Sequence, residues 1–92
     1  MQTETLRRIR SGETTLRELR GISPDEYGAG IAAGRKLLDA GETGAAAEVL
    51  AGLALYDPYS PDVWRALEEL FRREGCPELA NLFGHLTRVM AA

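Results

Sequence analysis

From Tyr27 onward the apolar residues of this chain recur at intervals of three and four, the spacing of one face of an α-helix. Tyr27, Ile31, Gly34 and Leu38 share one face of a first helix, and Gly30, Ala33 and Leu37 share a neighbouring one. Ser23-Pro24-Asp25-Glu26 predicts its start: Ser23 as N-cap, Pro24 at the first helical position, Glu26 closing a capping box. The helix is predicted to run to about Ala40 and to be closed by Gly41. A second helix spans about Thr43 to Tyr56, with Ala46, Val49, Leu50, Leu53 and Leu55 expected on its buried side and Pro58 ending it. A third begins with Ser60 as N-cap and Pro61 as first residue, carries the stripe Trp64, Leu67, Leu70 and Phe71, and closes at Gly75. The last opens at Pro77 and carries Leu79, Leu82, Phe83, Leu86, Val89 and Met90. Nothing alternates with the period of two that marks a strand, so the expected fold is all-α with about four main helices.

Two shorter pieces precede these helices. Thr3 to Arg10 makes two turns with Leu6 and Ile9 on one side and Arg7, Arg8 and Arg10 on the other, and Gly12 interrupts it. Thr15 to Arg20 places Leu16 and Leu19 three apart and stops at Gly21. Helices this short are marginal alone in water, so they must dock on the rest of the chain or on another chain. Residues 1–22 therefore read as an N-terminal helical segment with Leu6, Ile9, Leu16 and Leu19 as candidate dimer contacts, and residues 23–92 as one helical unit.

Shifting the chain by 34 residues superposes its two halves: Gly41 falls on Gly75, Ala46 on Ala80, Leu37 on Phe71 and Gly30 on Trp64. A 34-residue period with Gly, Ala and Pro at fixed places is the tetratricopeptide signature, a stack of antiparallel helix pairs. Ala46 and Ala80 are then the close-contact points between paired helices, and Tyr27, Gly34, Trp64 and Phe71 are packing residues. In such arrays the first helices of the pairs line a concave groove. The outward positions expected here are Gly28, Ile31, Arg35 and Leu38, then Asp62, Arg65, Glu69 and Arg72.

Composition changes this picture little. With 45% hydrophobic and 27% charged residues the chain has the make-up of an ordinary globular domain. A net charge of −3 does not favour nucleic acid. The charge is uneven: residues 1–21 hold five Arg against three Glu, and the remainder six basic against eleven acidic groups. Cys76 has no second cysteine to pair with, and no apolar run approaches the ~18–20 residues of a membrane span. A cytoplasmic location is expected.

Catalytic chemistry finds no foothold in the pattern. His85 and Cys76 lie nine positions apart, which is no metal-ligand spacing, and Glu68 and Glu69 point apart on a helix. Gly28-Ala29-Gly30 has no preceding strand and is not a phosphate loop. No catalytic residue, metal ligand or cofactor is expected, and a protein-binding role is.

Three pieces carry a more specific resemblance. They are Gly12-Glu-Thr-Thr-Leu16 leading into Leu19-Arg-Gly-Ile-Ser23, the turn Ala40-Gly41-Glu-Thr-Gly-Ala-Ala-Ala47, and the ending Leu53-Ala-Leu-Tyr-Asp57-Pro-Tyr59. Over roughly 70 residues the chain resembles the tetratricopeptide (class II) chaperones of type III secretion translocators, in a truncated form. The resemblance implies a bacterial cytoplasmic chaperone, often dimeric through its N-terminal helices, that holds a translocator or other secreted component by an extended segment in the groove, with Ile31, Arg35, Leu38, Arg65 and Glu69 as the peptide-binding candidates carried over by position. It differs from the family in holding fewer than two full repeats instead of about three, and in placing Arg35 where the groove is usually aromatic. A relation to the short tetratricopeptide proteins that chaperone needle subunits beside a helical co-chaperone is the variant this suggests.

Repeat units bury their faces against neighbours, and about three are normally needed for stability. A homodimer, or an obligate complex with another helical protein, is therefore expected. The alternative to a chaperone is a helical scaffold or regulatory domain acting by self-association.

Overall fold

The computed structural model describes residues 3–11 and 14–91, and among them the chain forms six α-helices and no strand. These are α1 (Thr3–Ser11), α2 (Leu16–Leu19), α3 (Pro24–Asp39), α4 (Thr43–Tyr56), α5 (Pro61–Arg73) and α6 (Pro77–Ala91). The all-α expectation holds. The side chains of Leu6 and Ile9, two of the candidate dimer contacts, lie outside the described residues.

Local signals set the helix limits. Ser23 and Glu26 form the reciprocal capping box, with Glu26 N donating to Ser23 Oγ and Ser23 N to Glu26 Oε1, each at 3.1 Å. At the far end of α3, Gly41 takes a φ of +82°, its N–H donating to Leu38 O at 3.0 Å while that of Glu42 reaches Leu37 O at 2.9 Å. Gly75 closes α5 in the same way, at φ +73°, through Gly75 N to Arg72 O and Cys76 N to Phe71 O. Both ends are Schellman motifs, which need a left-handed residue that glycine adopts without a Cβ clash.

The 34-residue period thus reappears in the backbone. Gly41 matches Gly75, the starts of α4 and α6 match at Thr43 and Pro77, and the buried alanines match at Ala46 and Ala80. Space repeats it too: the ends of α3 and α5 lie side by side, with Arg73 Nη1 3.0 Å from Asp39 Oδ1 and 3.4 Å from Leu38 O.

Helices α3 and α4 run antiparallel, since Gly30 faces Leu53 and, one turn on, Gly34 faces Leu50. A Cβ at Gly34 would stand 2.8 Å from Leu50 Cδ2, so this pair closes only because position 34 has no side chain. The core is Tyr27, Ile31 and Leu38 from α3, Ala46 and Leu50 from α4, and Val63, Ala66, Leu67 and Leu70 from α5. Helix α6 joins through Phe83, whose ring stacks on Phe71 at 5.2 Å and on Trp64 at 5.6 Å between centroids. Trp64 Nε1 donates to Pro58 O at 2.7 Å, tying this cluster to the α4–α5 turn.

The burial of Leu55 needs correction, and at Ser60 and along α6 the structure adds detail that the pattern left open. Leu55 is 75% exposed, because it stands two residues, about 200° of helix, from Leu53 and cannot share its buried side. Ser60 precedes α5 in an extended conformation, but its side chain makes no cap hydrogen bond. On α6 the buried positions are Ala80, Gly84 and Thr87, while Leu79, Leu82 and Val89 are exposed.

Candidate functional site

Helix α2 is only one turn long, and its exit positions one side chain. Thr15 Oγ1 accepts from Glu18 N at its start, and Gly21 (φ +70°) turns the chain at its end, with Ile22 N donating to Arg17 O. Arg17 is thereby aimed at the end of α4. Its Nε donates to Asp57 Oδ2 at 2.9 Å, its Nη1 to Ile22 O at 3.2 Å, and its guanidinium carbon stands 5.8 Å from the Tyr27 ring centre. Asp57 Oδ1 accepts from Tyr59 N at 3.0 Å, which is the turn chemistry expected of Asp before Pro. The Tyr27 hydroxyl donates to Leu53 O and lies 3.3 Å from Asp57 O. Burial, assisted by the negative charge of Asp57, pushes the Tyr27 phenol up to about 12, against the opposing pull of Arg17.

Beside this knot lies an open cleft of about 270 Å³. Its apolar wall is the start of α3, namely Pro24, Tyr27, Gly28 and Ile31; Arg17 and Asp57 close one side, and Ser60 and Asp62 at the start of α5 close the other. Nothing lies within 4 Å of where a Gly28 Cβ would stand, so the wall is open there. The charged rim is already neutralised: Arg17 holds Asp57, and Arg65 Nη1 holds Asp62 Oδ1 at 2.8 Å. A cleft of this volume admits one or two side chains.

Of the five predicted groove residues, only Ile31 lines this cleft. Leu38 was expected to face outward and does not: it is 4% exposed within the core. Ile31, at 9%, is also mainly a core residue that shows the cleft one edge. Both belong to the core cluster that α3 shares with α4 and α5. Arg35 is half-buried, Arg65 pairs with Asp62, and Glu69 pairs with Arg73 at 2.9 Å. Arg17 and Asp57 were missed as site residues. The Asp57-Pro58 turn was legible, but a contact across forty positions was not.

The remaining candidates for chemistry stay apart. His85 is exposed and Cys76 half-buried, and among the described residues no three His, Cys, Asp or Glu side chains gather as a metal site would require. Glu68 and Glu69 are engaged by Arg72 and Arg73. No helix among the described residues is long and apolar enough to cross a membrane. Leu16 is half-buried and Leu19 is 41% exposed, so only the latter presents a sizeable apolar surface from α2.

No protein-family model, curated protein or solved structure matches this chain.

Proposed function

We propose that this protein is a tetratricopeptide-type binding module that holds an extended segment of another protein, with an apolar side chain of that segment seated in the cleft between the starts of α3 and α5. The observation that carries this reading is the combination of an apolar wall with a rim whose charges are already paired. Such a cleft gains free energy by burying a small apolar group and offers little to a bare charge. The 34-residue recurrence of helix ends and buried alanines supports the repeat assignment.

The three stretches of family-like sequence supply the more specific role: a cytoplasmic chaperone or adaptor for a translocator or needle component of a bacterial type III secretion system. On this reading the client is aggregation-prone alone and is kept in solution by the complex. Arg65, paired with Asp62 of the cleft rim, suits the polar backbone of the bound segment.

The test is co-production. The secretion component that co-purifies from the source cell is expressed alone and with this protein, and its soluble fraction is measured. Rescue is expected with the native chain and is lost with Gly28→Leu, whose side chain fills the open wall of the cleft without lowering the melting temperature. Rescue that is indifferent to Gly28→Leu would remove the cleft from the reading, and the absence of any rescued component would remove the chaperone role.

A further inference from the structure

Of the six large hydrophobic side chains that are exposed among the described residues, three stand on α6. Leu79 is 43% exposed, Leu82 52% and Val89 56%, with Leu86 half-buried between them. Their spacing of three, four and three residues is that of a helix–helix seam, and the four side chains fall within about 80° of one another on the helix.

A further helix pair stacked in the same register would not cover this stripe. Thirty-four positions earlier, its places are held on α4 by Ala45, Glu48, Gly52 and Leu55. Ala45, Glu48 and Leu55 remain exposed although α5 packs against α4. An added pair that repeated this packing on α6 would leave Leu79, Leu82 and Val89 exposed in turn. The stripe therefore belongs to the outer side of the array and needs a different occupant.

We infer that the occupant is a second copy of this chain, its α6 lying antiparallel across the first. In that arrangement, centred on Gly84, Leu79 meets Val89 of the second copy and Leu82 meets Leu86. Charge selects the orientation. The acidic residue of the first turn of α6 is Glu78 and the basic residue of its last turn is Arg88, and neither has an ion-pair partner among the described residues. Helical rise and an ordinary interaxial distance place Glu78 and Arg88 of the second copy with Cα atoms roughly 10 Å apart on the same flank, within reach of an ion pair. A parallel pair would instead set Glu78 against Glu78 and Arg88 against Arg88. The contact is one helix face per copy, smaller than the roughly 800 Å² per partner of a standard interface, so the dimer is weak and concentration-dependent. This inference does not depend on the client-binding reading, and it uses a surface distinct from the N-terminal helices.

Sedimentation of the full chain at low salt, from about 10 μM to 1 mM, tests it. A reversible dimer is expected, weakened at least about tenfold by Leu82→Asn or Val89→Asn, since each removes buried Leu or Val surface twice per dimer. Arg88→Glu weakens it about threefold to tenfold, and the exchange Glu78→Arg with Arg88→Glu restores it. Circular dichroism checks that the variants keep their helices; having both Leu82→Asn and Val89→Asn keeps the test open if one of them unfolds. A chain that stays monomeric throughout, or a dimer indifferent to both stripe substitutions, overturns the interface. Failure of the charge exchange to restore dimerisation overturns the antiparallel arrangement.

Discussion

Arg17 Nε stands 2.9 Å from Asp57 Oδ2, forty positions away in the chain, with only 19% and 13% of the two side chains exposed. This contact joins the one-turn helix α2 to the end of α4 and forms one side of the cleft. An ion pair this sheltered is costly to break singly, because the remaining charge stays partly desolvated. Asp57→Ala also removes the acceptor for Tyr59 N–H. It is expected to lower stability by about 1–3 kcal/mol, read from urea unfolding, and Arg17→Ala by a similar amount. Near-additive losses in the double variant would show that the two residues do not act as a pair.

Two glycines of α3 make opposite predictions. Gly28 has open space where a Cβ would stand, so Gly28→Ala should stabilise the helix by about 0.8–1 kcal/mol through propensity alone. At Gly34 the same methyl group meets Leu50 Cδ2 at 2.8 Å and Cγ at 3.0 Å, and Leu50 is fully buried. Overpacking there is expected to outweigh the propensity gain, for a net loss of about 1–2 kcal/mol. Thermal melts of the two single variants, compared with the parent, check the sign of each.

Tyr27 links stability to alkaline pH. Its phenol is pushed up to about 12 by burial and by Asp57, above the value near 10 of an unfolded chain. Below pH ~10 both states keep the proton and the tyrosine's contribution is complete. Between pH ~10 and ~12 the unfolded state releases its proton first, so stability falls with rising pH, by roughly 1–3 kcal/mol from this group. Tyr27→Phe should lose about 1 kcal/mol at neutral pH, from the hydrogen bond to Leu53 O, and should flatten the alkaline decline. Equal alkaline slopes for the parent and Tyr27→Phe would assign the decline to other groups.

Phe83 is the middle ring of the stack that fastens α6 to α5. Phe83→Ala should cost about 2–4 kcal/mol and expose Trp64, shifting its emission to longer wavelength in the folded state. An unchanged emission maximum would place the indole's shielding elsewhere, in its contact with the Pro58 turn.

Much of the helical framework was legible locally. Ser23, Pro24 and Glu26 specify the start of α3, and Gly41 and Gly75 specify two helix ends, because capping and left-handed turns are settled within a few residues. The buried face Tyr27, Ile31, Gly34 and Leu38 followed from the helical period alone. Periodicity failed at Leu55, where an apolar residue sits on the solvent side, and on α6, where leucines outnumber the places a single neighbouring helix can cover.

By itself, then, the sequence determined the helices, their limits and the 34-residue recurrence, since each depends on contacts between near neighbours along the chain. The tertiary structure decided which faces meet. It buried Leu38, which the groove reading had turned outward, brought Arg17 onto Asp57 beside an open wall at Gly28, and left the α6 stripe uncovered. Those outcomes depend on how closely two helices approach, and at Gly34 that distance is set by the absence of one Cβ against a leucine on another helix.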